Sequence, residues 1–104
     1  MDSKILLGKI LQRFFDKKIS QVENYNSYGY IRETNSAVYV TREKGEDTRI
    51  PYEKILIGIE TYKENPELYN EGPNALRNYG ITHINSPIWS LLHLLSLKDY
   101  ELKI

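Results

Sequence analysis

The chain has 104 residues, of which 40% are apolar and 27% charged, with 14 Lys and Arg against 14 Asp and Glu, two histidines and no cysteine. This length and composition predict one folded domain over residues 1–104. Without cysteine there is no disulfide, no thiolate zinc site and no cysteine nucleophile. The formal charge of zero also removes the simplest electrostatic argument for nucleic-acid binding.

The N-terminal segment has the pattern of an amphipathic helix. Ser3 is a suitable N-cap, and the helix is predicted to run to about Lys18. Gly8 costs helix stability and is interpreted as a site of close packing. The apolar residues recur at the spacing of one helical face: Leu6, Leu7, Ile10, Leu11, Phe14 and Phe15.

The same segment carries charges that distinguish it from a secretion signal. Lys4, Lys9 and Arg13 interrupt its apolar run, so the uninterrupted hydrophobic region of a signal peptide is missing. No stretch of the chain approaches the roughly 20 apolar residues of a membrane span. We therefore expect a cytoplasmic protein that does not contact a membrane.

The middle of the chain has the pattern of a small antiparallel sheet. Residues 27–33 and 37–43 are rich in β-branched and aromatic side chains, and the turn-forming residues 34–36 separate them. This arrangement predicts a β-hairpin. A second turn at Gly45 leads into a short strand at residues 48–50. The prediction is a three-stranded meander.

The second half of the chain is predicted to be helical. Pro51 fits the first turn of a helix that ends at Asn65, before Pro66. One further turn is expected at residues 67–71, and a short helix at 74–79, opened by Gly72 and Pro73 and closed by Gly80. The apolar spacing of the long helix is the clearest in the chain: Tyr52, Ile55, Leu56, Ile59 and Tyr62.

The last predicted helix begins with Ser86 as N-cap and Pro87 as its first residue, and runs to about Leu97. Apolar side chains cover most of its circumference, which indicates a helix surrounded by protein. The tail from Lys98 is expected to be a frayed end or an added strand. The polar positions form a narrow stripe: Ser86, Ser90, His93 and Ser96.

Ser90 and His93 have the spacing of a nucleophile and its base, but catalysis also requires an orienting carboxylate and an oxyanion site. No nearby residue is a compelling candidate for either, so we interpret the stripe as core or partner-facing. His83 is expected in a loop, and a metal pair with His93 is disfavoured. We predict no catalytic residue, no metal site and no cofactor.

Two other short motifs are weak. The order Asp99, Glu101, Lys103 has the acids and lysine of a magnesium-dependent nuclease motif, but a further acid on a core strand is missing. Gly72 and Pro73 before a short helix offer a generic anion site, without the glycine spacing and Lys-Ser/Thr of a P-loop. A turn followed by a proline-started helix is the preferred interpretation.

Among the predicted elements, the hairpin is the best candidate for a binding surface. If Ile31, Val38 and Val40 face the core, strand alternation places a group of tyrosines and basic residues on the opposite face. Tyrosine and arginine suit both nucleic acid, through stacking and phosphate contacts, and protein hot spots. Alternatively, the tyrosines only stabilise the sheet. The predicted hairpin surface consists of Tyr28, Tyr30, Arg32, Tyr39, Arg42, Lys44 and Arg49.

The predicted fold is α+β, with an N-terminal helix, a small three-stranded antiparallel sheet and a helical C-terminal half packed on one face. The predicted function is a small non-enzymatic module, a bacterial or phage accessory protein, that binds DNA or RNA through the hairpin surface. The alternative is a protein-protein interaction module, an adaptor or inhibitor of a nucleic-acid-handling protein. The apolar last helix also predicts a homodimer, since a second subunit would cover part of it.

Overall fold

The computed structural model describes residues 2–102. They form the predicted α+β fold, with the strands as one antiparallel sheet of four rather than three. No helix in this range is long and apolar enough to cross a membrane. In chain order the elements are α1 (Ser3–Lys17), β1 (Ile19–Gln21), β2 (Ser27–Glu33), β3 (Ala37–Val40), β4 (Thr48–Pro51), α2 (Tyr52–Glu64), two 3₁₀ helices (Pro66–Asn70 and Pro73–Tyr79), α3 (Asn85–Leu92) and α4 (Leu97–Tyr100).

The strands pair in the order β1-β2-β3-β4, so each strand lies beside its neighbour in the chain. The additional strand, β1, follows α1 directly, because Lys18 takes a left-handed conformation (φ 64°) that ends the helix and turns the chain. Ser20 then pairs with Tyr28 of β2. An irregularity between Tyr30 and Arg32 shifts the register of β2 against β3.

One face of the sheet is buried beneath the helices and the other is open. Val38, Val40 and Ile50 have no exposed surface, whereas Arg32 and Arg49 are exposed. Helix α1 contacts β1, α2 and α3, and α3 also contacts β1 and β2. The core therefore lies between the inner face of the sheet and the three longer helices, with these helical side chains at its centre: Leu6, Ile10, Phe14, Ile55, Ile59, Ile88, Leu91 and Leu92.

Two predicted helix starts are wrong by one residue. Asp2, not Ser3, is the N-cap of α1, and its carboxylate accepts a hydrogen bond from the Lys4 amide at 2.7 Å. Pro51 is the last residue of β4 and the N-cap of α2, so it precedes the first helical turn. The predicted end of α2 at Asn65 is confirmed.

The last predicted helix is shorter than expected. Ile84, not Ser86, is the N-cap of α3, and the helix ends at Leu92. The chain then turns and forms α4, which the sequence pattern did not separate from it. Ser96 caps α4 through a capping box with Asp99. The tail is thus helical at residues 97–100, and the Lys103 of the weak nuclease motif lies outside the described residues.

The two longest helices, α1 and α2, each contain a glycine. Gly58 of α2 lies where this helix closely approaches α3, whereas Gly8 of α1 is not at a close helix contact. A Cβ atom at Gly58 would lie 2.9 Å from a methyl carbon of Leu92, so the absence of a side chain lets α2 approach α3. At Gly8 a Cβ atom would meet nothing within 4 Å. The interpretation of Gly8 as a close-packing site is therefore wrong.

Candidate interaction surfaces

The serine and histidine of α3 have structural partners. Ser90 is buried, and its hydroxyl lies 2.7 Å from that of Ser20. The two ring nitrogens of His93 lie 2.8 Å from the Trp89 carbonyl and 2.9 Å from the Tyr69 carbonyl. Neither nitrogen is directed at Ser90, so the two side chains do not form a nucleophile and base. Within residues 2–102 no three His, Asp or Glu side chains are grouped to hold a metal ion.

The residues of the predicted hairpin surface do not all lie on one exposed face of the sheet. Tyr28 is only 4% exposed and faces the core, whereas Ile31, expected in the core, is 39% exposed. The pairing of Tyr28 with the buried Ser20 of β1 explains this orientation, because side chains opposite each other lie on the same face. The irregularity after Tyr30 then directs Arg32 outward.

Tyr30 is also turned toward the helices. Its ring packs edge-on against Phe14 and Phe15 of α1, with centroid distances of 5.3 and 5.5 Å. Its hydroxyl donates a hydrogen bond of 2.7 Å to Glu33. Burial, together with the hydrogen bond to Glu33, raises the pKa of Tyr30 to about 12. This ring is part of the packing and is not a free stacking platform.

Three residues of the predicted hairpin surface do meet on the open face of the sheet. The Arg32 guanidinium carbon lies 3.9 Å from the centroid of the Tyr39 ring, and Tyr39 pairs with Arg49 across the strands. Arg42 is placed elsewhere, beside the Tyr28 hydroxyl. Lys44 lies in the turn, where Glu43, Glu46 and Asp47 offset the basic residues. Nucleic-acid binding by these residues stays a prediction.

A groove follows the solvent side of α2. It has a volume of about 770 Å³ and lies between this helix and the β3–β4 side of the sheet. After Tyr52 at the start of α2, the lining residues of this helix recur at i, i+3, i+4, i+7, i+8 and i+11, which is one continuous stripe of a helix. They are Glu53, Leu56, Ile57, Glu60, Thr61 and Glu64.

The floor of the groove is apolar and its edges are acidic. Leu56 and Ile57 are half-buried, and Pro51 and Tyr52 extend the apolar surface. Glu53, Glu60 and Glu64 are exposed along α2, and Glu60 accepts a hydrogen bond from Ser3. At the sheet side Arg49 donates to the Ser36 hydroxyl at 3.2 Å. The described lining thus carries three carboxylates and one guanidinium.

The apolar spacing of α2 predicts Leu56 on the core face of the helix and predicts no role for Ile57. The signal was nevertheless present, because a glutamate lies three residues before Leu56 and two others lie three and seven residues after Ile57. Leu56 and Ile57 pack against the core with part of their surface only, and the exposed remainder gives the helix a surface that suits a partner.

A smaller and more enclosed pocket, of about 170 Å³, opens between the β1–β2 loop and α3. Tyr25 and Trp89 contact each other in its wall, with ring centroids 4.6 Å apart. The sequence pattern indicates that the helix carrying Trp89 is surrounded by protein, and it predicts no role for Tyr25. Because the two residues are 64 positions apart, only the fold brings them together. The pocket is lined by Asn24, Tyr25, Asn26, Tyr28, Pro73, Ser86, Trp89 and Ser90.

The chain matches no protein-family model, and neither a curated protein nor a solved structure is significantly similar to it. Function is therefore argued from these surfaces alone.

Proposed function

We propose that the protein is a non-enzymatic interaction module whose α2 groove binds a basic amphipathic helix of another protein. The observation that carries the proposal is the stripe on α2, in which two half-buried apolar side chains lie between exposed glutamates. In this proposal the protein acts in the cytoplasm of a bacterium. It is an accessory protein either of the bacterium or of a phage.

The shape of the groove favours a helix as the bound element. Helix α2 has 13 residues, which corresponds to a length of about 20 Å or between three and four turns. A partner helix lying along it would insert apolar side chains at i, i+3 and i+4 over Leu56 and Ile57. Its lysines or arginines would lie beside Glu53, Glu60 and Glu64. These carboxylates are exposed, so they contribute orientation and association rate more than affinity.

The burial of the last helix does not support the homodimer that its apolar sequence predicts. Ile88, Leu91 and Leu92 of α3 have no exposed surface, and Trp89 is 5% exposed. A single chain covers this helix, so a second subunit is not needed for that purpose.

The test uses designed peptides of about 14 residues. One has leucines at helical spacing and lysines on the flanks, a second has the same composition in scrambled order, and a third has glutamate in place of lysine. Fluorescence anisotropy of labelled peptides is measured at low and moderate salt. We expect saturable binding of the first peptide only, because the second lacks an apolar face and the third is repelled. Equal binding of the scrambled peptide would overturn the proposal.

A charge-reversal variant locates the binding surface. Glu53→Lys with Glu64→Lys should weaken binding by about tenfold or more, since both carboxylates lie along the groove. The matched control is Glu23→Lys with Glu67→Lys, which makes the same charge change at exposed positions outside the groove. If both variants weaken binding equally, the attraction is general and the groove is not the site.

Nucleic-acid binding remains a second candidate because Arg32, Tyr39 and Arg49 meet on the open face of the sheet. Phosphate contacts would make binding steeply salt-dependent. Light scattering of the protein with short single- and double-stranded oligonucleotides, at two salt concentrations, tests this candidate. Arg32→Glu should abolish any such complex while leaving peptide binding to the groove unchanged.

A further inference from the structure

Hydrogen bonds hold two of the side chains that line the pocket beside Trp89. The indole nitrogen of Trp89 donates a hydrogen bond of 2.9 Å to the Glu71 carbonyl, which fixes the orientation of the ring. On the floor the Ser90 hydroxyl is held by Ser20. Tyr25, in contrast, is 45% exposed although its ring lies against Trp89. The pocket therefore combines the exposed ring of Tyr25 with the ring of Trp89, whose orientation is fixed by its hydrogen bond.

The size of the pocket suits one ring system. A dry cavity of about 150 Å³ is enough to bind benzene, and this pocket has about 170 Å³. It is unlike an aliphatic pocket, because the polar residues Asn24, Asn26 and Ser86 contribute to its lining. Each amide offers both a donor and an acceptor, so the pocket can match a planar ring with both kinds of group on its edge.

The charges around the pocket favour a neutral group. None of its described lining residues is charged. Arg42 is hydrogen-bonded to the Tyr28 hydroxyl, and the weaker influence of Glu43 on that hydroxyl offsets only part of the positive charge. Glu43 in turn accepts a hydrogen bond from the Ser27 amide. A phosphate would thus meet a guanidinium that is already hydrogen-bonded to Tyr28, whereas an uncharged heterocycle needs no cation.

We propose that the pocket formed by Tyr25, Trp89 and the flanking asparagines binds a nucleobase. The base stacks on the exposed Tyr25 ring and presents its polar edge to Asn24 and Asn26. It comes either from a free nucleoside or from single-stranded nucleic acid, which share this chemistry. The site is separate from the α2 groove, so the two proposals stand or fall independently.

The chain provides its own probe, because Trp89 is the one tryptophan in the sequence. Adenosine, guanosine, cytidine and uridine are titrated separately into the full chain while the fluorescence of Trp89 is recorded, with ribose as the ligand control. Octanucleotides of dA and dT are titrated at low and moderate salt. We expect a saturable change in fluorescence with at least one nucleoside or oligonucleotide. No saturable change with any of them would overturn the proposal.

Two variants test the geometry. Tyr25→Ala should weaken binding by about tenfold or more, because it removes the stacking ring. The matched control is Tyr79→Ala, which removes a tyrosine of similar exposure outside the pocket. Asn24→Gly suits the left-handed backbone of Asn24 (φ 72°) and should reduce the discrimination between bases. Thermal melting confirms that each variant is folded.

The source of the base follows from comparing the ligands. Nucleosides that bind as tightly as the oligonucleotides identify the isolated base as the ligand. Tighter oligonucleotide binding that Tyr25→Ala abolishes identifies single-stranded nucleic acid. Binding that is equal in wild type, Tyr25→Ala and Tyr79→Ala would overturn the proposal, because it would not involve this pocket.

Discussion

The guanidinium of Arg13 forms a two-pronged ion pair with the carboxylate of Asp99, with N–O distances of 2.8 and 3.1 Å. Arg13 also donates to the Leu94 carbonyl at 2.8 Å. Asp99 in turn accepts a hydrogen bond from the Ser96 amide at 2.7 Å, as part of the capping box of α4. The ion pair between Arg13 and Asp99 therefore links α4, at the end of the described chain, to α1.

This ion pair predicts a pH-dependent stability. The hydrogen bonds from Arg13 and from the Ser96 amide hold the pKa of Asp99 well below its ordinary value, which is about 3.9 in an unfolded chain. Because the folded-state pKa is lowered, the stabilisation is fully present above about pH 5 and is lost as the pH falls below about 4. Asp99→Asn should lower the free energy of unfolding at pH 7 by about 1 kcal/mol, since the Arg13 side chain is 39% exposed and solvent screens the pair.

Urea unfolding of wild type and Asp99→Asn, measured from pH 7 to pH 2, checks this prediction. The difference between the two proteins should shrink below about pH 4, because the unfolded wild-type chain then takes up a proton at Asp99 that the folded protein does not bind. Asp16→Asn serves as a control, because Asp16 is an exposed acid of α1. A difference that stays constant down to pH 2 would show that the charge of Asp99 does not contribute.

The two helical glycines predict opposite effects of the same substitution. Gly8→Ala should raise the free energy of unfolding by about 0.5–1 kcal/mol, because alanine favours the helix and the new methyl group meets no atom within 4 Å. Gly58→Ala gains the same helix propensity but places a methyl group 2.9 Å from Leu92, whose side chain is fully buried. Overpacking of this kind costs about 1–3 kcal/mol, so the variant should be less stable than wild type.

Each glycine variant is thus the control for the other, and chemical unfolding of both proteins gives the answer. Equal stabilisation by the two substitutions would mean that α2 and α3 can move apart at no cost.

Two buried tyrosines also predict opposite effects. The Tyr62 hydroxyl is buried and has no hydrogen-bond partner among the described residues, and burial raises the pKa of this side chain. The Tyr100 hydroxyl is buried too, but it donates to the Leu92 carbonyl. Tyr62→Phe should therefore stabilise the protein by up to about 1 kcal/mol, whereas Tyr100→Phe should destabilise it by about 1–2 kcal/mol.

Thermal unfolding of the two phenylalanine variants provides the measurement. Both substitutions remove one oxygen from the same aromatic cluster, in which the ring centroids of Tyr62 and Tyr100 are 5.8 Å apart. A loss of stability in Tyr62→Phe comparable to that in Tyr100→Phe would show that the Tyr62 hydroxyl is hydrogen-bonded in solution.

Much of the fold follows from local patterns. The spacing from Tyr52 to Tyr62 predicted α2, and the turn residues 34–36 predicted the hairpin, both of which are confirmed. Strand β1 was missed because its three residues follow α1 without a turn signal, and their pairing with β2 depends on the left-handed Lys18. A strand this short has no detectable alternation.

The candidate surfaces were less accessible from sequence. The rule that side chains alternate between the two faces holds only in a regular strand. In β2 the irregularity after Tyr30 changes which side chains face the core. The Trp89 pocket joins residues from the β1–β2 loop and α3, and no local pattern reports such a contact. The α2 groove was more accessible, because its stripe lies within one helix, but the core stripe of the same helix was the stronger signal.

The two outermost strands of the described sheet have a consequence for how this protein meets other chains. Strand β1 offers three residues and β4 four, and β4 ends at Pro51, which has no amide hydrogen to donate. Strands this short present few free main-chain groups, so they are poor templates for the pairing of an added strand or for stacking into fibrils. We therefore expect partners to be recognised through side chains, and we expect the short outer strands to limit aggregation although the chain carries no net charge.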